Sequence, residues 1–137
     1  MQNPPPVQSG KSSTGLDENI ASLLAYVFGW VSGLIFFLME KSSQLVRFHA
    51  MQSILLNVVV GVIAVVLSIA ISILVLILGQ ISGALASIAS LLWFLFWLVF
   101  SIAILIVWVM CLLKAYQGQK WKIPFIGDYA EKFSTPK

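Results

Sequence analysis

Glu40, Lys41, Arg47, His49, Gln52 and Ser53 form the one close-set group of side chains in this sequence that could do chemistry. A carboxylate near an imidazole could pass a proton as an acid–base pair. Nothing completes such a site. No nucleophile motif and no Gly-rich phosphate loop accompany it, and His49 is the only histidine, so a histidine metal site lacks a second ligand. The group reads as neither a catalytic nor a metal site, and no cofactor is expected. It reads as an inner polar clamp that holds two helix ends together and meets phospholipid. Glu40 is expected to pair with Arg47 across the turn Lys41 to Gln44, because partial desolvation at a membrane boundary strengthens a charge-assisted bond.

Three other patterns accompany the clamp. His49, Ser53, Asn57, Gly61, Ala64, Ser68 and Ser72 step down the chain at helical spacing as a polar-to-small stripe. It suits either a tight helix–helix seam or a lining for water, headgroup or substrate. Ala21, Ala25, Gly29 and Gly33 recur every four residues and suit close packing against another helix of this chain or of a second copy. Near the C-terminus, Gly118 suits a helix end and Pro124 stops a helix. Phe125, Tyr129 and Phe133 share a face, as in a segment lying on a membrane surface. Trp93 and Trp97, with Trp108, Tyr116 and Trp121 further on, read as aromatic belts of a membrane helix. Cys111, the one cysteine, allows no disulfide within the chain.

The elements that position these residues must live in lipid. The 137-residue chain is 60% hydrophobic and 9% charged, and soluble domains average about 25% charged. Mean hydropathy is +1.00, and no charge lies between Arg47 and Lys114. The pI of about 9.2 does not imply nucleic acid, because the lysines flank apolar spans as headgroup-facing residues do. Residues 1–15, with Pro4 to Pro6, read as a disordered tail. Thr14 is expected to cap a helix over about 16–39, with others over about 45–78 and 91–113 and an interfacial tail over 114–133, so that 16–133 is one multi-pass domain. The expected fold class is an all-α integral membrane protein of three transmembrane helices. Four fit by length, but no Gly, Pro or polar cluster divides Val62 to Leu78. Three helices put Lys41, Arg47 and the C-terminal lysines on one side and Lys11 across the bilayer, which predicts an outside N-terminus and a cytoplasmic C-terminus.

The strings Glu40-Lys41, then Val46-Arg47-Phe48-His49-Ala50-Met51-Gln52-Ser53, then Lys114-Ala115-Tyr116-Gln117-Gly118, and Pro124 to Glu131 resemble a small multi-pass family of bacteria and archaea. That family is related to the import component of the chloroplast inner-envelope translocon. The likeness covers roughly residues 16–133. It implies that Glu40, Arg47, His49, Gln52, Tyr116, Gly118, Pro124 and Gly127 act together, and that the chain resembles a protein-transport component. The chloroplast relatives have four helices where three are counted here. The functional expectation is non-enzymatic: a channel-like or scaffold subunit that assembles with itself or with a larger membrane complex. The alternative is a module that binds anionic lipid headgroups. The expected location is a prokaryotic plasma membrane, with the bilayer as partner and no nucleic acid.

Overall fold

The computed structural model describes residues 10–135, and they fold into five helices in two units. The expected tail over 1–15, including Pro4 to Pro6, lies outside the described residues as far as residue 9. The helices are α1 (Glu18–Val27), α2 (Trp30–Met39), α3 (Gln44–Ile81), α4 (Gly83–Tyr116) and α5 (Ile126–Ser134). The first unit comprises residues up to 58 and from 108 onward; the second comprises 59–107.

In the first unit, the helix expected over 16–39 is instead a pair, α1 and α2, packed against each other. The break is at Phe28 and Gly29. Gly29 takes φ 62°, ψ −134°, a backbone conformation that is costly for any residue with a Cβ. The freed backbone groups find partners: Gly29 N–H donates to Tyr26 O, and Phe28 N–H donates to Ser32 Oγ, which donates to Ala25 O. At about 1.5 Å per residue each helix is roughly 15 Å long, half of a bilayer's hydrocarbon core. The chain therefore returns toward its start. Ser13 donates to the Glu40 carboxylate, which puts the segment before α1 beside the loop after α2. The expected placement of these two segments on opposite faces is corrected accordingly. Thr14 does not cap α1; its hydroxyl meets that of Ser12.

Ser43 caps α3 by accepting from Val46 N–H. At the far end of α4, Gly118 N–H bonds Ala115 O and Gln119 N–H bonds Lys114 O. With Gly118 at φ 69°, this is the paired C-terminal closure that favours glycine. The chain then runs past Trp121 to Pro124 and turns into α5.

The second unit holds the rest of α3 and the beginning of α4, joined at Ser82 alone. The break expected over Gly79 to Ser90 shrinks to that residue. Inside hydrocarbon a backbone must bond to itself, so small residues there stay helical. Ser87 and Ser90 return their hydroxyls to Gly83 O and Ala86 O. The two arms run antiparallel, with Leu67, Ile71 and Leu74 facing Ala89, Trp93 and Phe96 along a shallow apolar groove. Trp93, Phe96, Trp97 and Phe100 stack along α4. Because α4 begins at Gly83, this cluster lies well inside the arm and not at the end where a belt was expected. Most of the unit's large apolar side chains are exposed. Both α3 and α4 are long and apolar enough to cross a membrane, and almost nothing of their apolar stretches is buried within the protein.

Candidate functional site

The clamp residues converge on the first unit, and the structure assigns them different partners from those expected. His49 and Gln52, one helical turn apart on α3, are fully buried. His49 Nδ1 lies 2.9 Å from the Tyr26 hydroxyl and its Nε2 lies 2.9 Å from Gln119 O. A carbonyl can only accept, so Nε2 carries the hydrogen and Nδ1 accepts from Tyr26, a tautomer fixed by its partners. Gln52 Nε2 donates to the Tyr26 hydroxyl at 3.0 Å and to Trp121 O at 3.1 Å, while its Oε1 accepts from Ile123 N–H at 3.1 Å. Ser53 donates to Gly29 O at 2.9 Å. Together these bonds tie α1, the α1–α2 turn, α3 and the strand of chain after α4 into one network.

The expected Glu40–Arg47 ion pair is absent among the described residues. The Glu40 carboxylate is ringed by Ser13 N–H and Oγ, Ser42 N–H and Oγ, and Ser43 N–H, at 2.8–3.0 Å. Burial alone would raise its pKa. The donors from Ser43, Ser13 and Ser42 outweigh that and hold the carboxyl down at about 2. Arg47 turns to main-chain oxygens: Glu40 O at 2.7 Å, Phe37 O at 3.4 Å and Ser134 O at 3.2 Å. Its guanidinium also lies 4.5 Å from the centre of the Phe37 ring. The physical reason is supply. The end of α2 leaves carbonyls without intrahelical partners, which suit a planar fork, while three serines supply the carboxylate with a closer shell. Lys41 contributes its main-chain N–H, which donates to Ser13 Oγ, and its side chain is exposed.

The polar stripe divides. Asn57 bonds Ser53 O on its own helix and lies against Gly29, while Gly61 faces open space and Ser72 bonds Ser68 O. Below Asn57 the Ser72 hydroxyl closes on its own helix, and among the described residues no side-chain bond joins two helices along that part of the stripe. The small residues pack within the chain. Ala21 and Ala25 are buried, and a Cβ on Gly33 would stand 2.9 Å from Ala50 O. Gly29 serves the turn by its conformation, not a continuous helix face. In the tail, Gly118 ends α4 and Pro124 precedes the turn into α5. A Cβ on Gly127 would lie 2.6 Å from Lys122 Cα. Tyr116 is exposed.

Five participants were not singled out from sequence. Tyr26 is the hub between His49 and Gln52, and a lone hydroxyl in an apolar run was its signal, since it must find a partner. Ser13, Ser42 and Ser43 complete the Glu40 shell, and nothing local marks them. Trp108, read as a belt residue, donates from Nε1 to Tyr26 O at 2.9 Å.

The magnetosome magnetite crystal formation protein family matches residues 16–130. A UPF0132 membrane protein of Methanocaldococcus jannaschii is 40% identical over 125 residues, covering 91% of this chain and 96% of its own. A UPF0132 membrane protein of Archaeoglobus fulgidus is 37% identical over 117 residues, covering 85% and 95% respectively. No solved structure matches the chain. These likenesses support a small prokaryotic membrane family, and none of them carries the translocon resemblance.

Proposed function

Because the chain belongs to the magnetosome magnetite crystal formation protein family, and its archaeal relatives are named membrane proteins, we propose that it is a non-catalytic scaffold of a prokaryotic plasma membrane. In this reading the hairpin of α3 and α4 crosses the bilayer twice, and the α1–α2 pair enters one leaflet and returns. The folded first unit is then held at the cytoplasmic surface for assembly with other copies or with a larger membrane complex. The observation that supports it is the internal use of the clamp. His49, Gln52, Ser53, Arg47 and Glu40 each bond to groups of this chain, while Lys41 keeps its side chain in solvent. A translocon-like or channel subunit needs a polar path, and the hydroxyls of Ser72, Ser87 and Ser90 are turned back onto their own helices. The headgroup-binding alternative relied on Arg47 and the tail lysines; Arg47 is held by main-chain carbonyls, and Lys120 and Lys122 are held by Glu131.

Carried to this chain, the family's description would make it part of a membrane where mineral grows. Its task there would be to organise the membrane and not to hold iron. Glu40, Asp128 and Glu131 are engaged within the chain, and among the described residues no three potential ligands converge. The test is reconstitution. Vesicles carrying the protein and a trapped small dye should be as tight as empty ones, and mild detergent should release the protein as an assembly larger than one chain. Dye efflux that His49→Ala or Asn57→Ala abolishes would overturn the scaffold reading in favour of a channel.

A further inference from the structure

The inner face of α5 is pinned. Gly127 lies hard against Lys122, Ala130 and Ser134 are buried, Lys120 and Lys122 both hold Glu131, and Arg47 holds Ser134 O. The outer face carries Phe125, Tyr129 and Phe133, spaced four residues apart as one stripe and 84%, 58% and 55% exposed. Phe125 stands at φ 65°, ψ −51°, and Ile126 N–H donates to Pro124 O at 2.8 Å. This is the γ-turn that residues with a Cβ adopt rarely and under strain. A glycine would make the turn at lower cost. The chain instead holds a phenyl ring there and leaves it exposed.

We propose that α5 is a lipid-binding element whose stripe Phe125, Tyr129 and Phe133 inserts at the boundary between headgroups and acyl chains. Continuity favours lipid as the occupant. Arg47 joins the end of α5 at Ser134 O to the end of α2 at Phe37 O and Glu40 O, and α2 ends on Leu38 and Met39, 67% and 55% exposed. Phe133, the last ring of the stripe, is next in sequence to Ser134, which Arg47 ties to the end of α2. Residue type agrees, because aromatic rings settle at the interface. Charge agrees as well. Asp128 and Glu131 pair with Lys122 and Lys120, which leaves Lys132 as the cation α5 itself presents, so the inserted rings and not attraction to anionic headgroups carry most of the binding. This inference needs only a membrane protein and stands whether or not the scaffold assembles.

The test uses the full chain with Cys111→Ala, carrying one nitroxide at a time on Phe125→Cys, Tyr129→Cys or Phe133→Cys, in phosphatidylcholine vesicles. Each label should collide several-fold more with oxygen than with a water-soluble nickel chelate. The ratio should hold when about a third of the lipid is phosphatidylglycerol. Preference for the nickel chelate at all three sites would overturn the proposal. So would spin broadening relieved by unlabelled chain, which would identify a second copy as the occupant, or a ratio that climbs steeply with phosphatidylglycerol. Since a cysteine could disturb the turn, the unaltered chain is also photolabelled with a lipid carrying a diazirine near its glycerol. Label should concentrate on 125–133, and a blank in that segment would equally overturn the proposal.

Discussion

A carboxylate ringed by serine donors and a guanidinium spread over carbonyls respond differently when each is neutralised. Glu40→Gln removes the charge that Ser13, Ser42 and Ser43 solvate but leaves the carbonyl that Arg47 holds. Arg47→Gln leaves the carboxylate shell intact. Each should lower stability by about 1–2 kcal/mol, and a double-mutant cycle in detergent melts should return a coupling below about 0.5 kcal/mol. Strong coupling would restore a direct ion pair. Arg47→Lys should lose nearly as much as Arg47→Gln, because one ammonium cannot span Glu40 O and Ser134 O as a fork does. The pH dependence has a definite sign. The Glu40 carboxyl is held at about 2 against an ordinary 4.5, so its contribution is complete above about 4.5 and fades as pH falls toward 2. Protease protection of residues 11–15 should fade over that window, and Glu40→Gln should flatten the curve. Glu131 is also held at about 2, through Lys120 and then Lys122, so α5 should loosen over the same range.

The α1–α2 turn is where element-scale behaviour departs most from the sequence pattern. Gly29→Ala must place a Cβ at φ 62° and 3.1 Å from Asn57 Oδ1. A cost of about 1–3 kcal/mol follows from the strained backbone alone. Gly61→Ala meets open space inside a helix and should be neutral or stabilising by up to about 1 kcal/mol. Equal melting shifts for the two would mean that Gly29 lies in an unbroken helix. Sequence could not separate these glycines, since Gly29 and Gly33 fit the small-residue spacing of a continuous helix as well as a turn. Gly118 was legible because polar residues and Pro124 follow it, so a helix end was the only economical reading. The clamp was half legible. Arg47, His49, Gln52 and Ser53 stand out as polar residues at the head of an apolar run; His49, Gln52 and Ser53 are buried and Arg47 is half-buried. Several of their partners are main-chain oxygens from segments more than sixty residues away, at Gln119, Trp121 and Ser134, and spacing within one helix carries no information about those.

At the scale of the whole chain, what is at issue is how many times it crosses the bilayer. A hydrophobic run of about twenty residues is long enough to span, which is why residues 20–39 read as a crossing. Ser13, however, donates to Glu40 and accepts from the N–H groups of Lys41 and Ser42, and atoms in hydrogen-bond contact cannot lie on opposite sides of about 30 Å of hydrocarbon. With that crossing removed, Lys11 joins Lys41, Arg47 and the C-terminal lysines, while no charge lies anywhere in 59–107. The two-crossing arrangement thus satisfies the positive-inside rule without the exception that three crossings required. In a Cys111→Ala chain, a cysteine in place of Gln80 should react with an impermeant maleimide on intact cells if the proposed two-crossing arrangement, which puts the Ser82 turn outside, holds. Cysteines in place of Lys11, Lys41 or Lys132, all exposed in the fold, should react only after the membrane is opened. Labelling at Lys11 but not at Lys41 on intact cells would return the three-span arrangement. It would also require the Ser13–Glu40 bonds to break in the bilayer, which Glu40→Gln would then leave without consequence for stability.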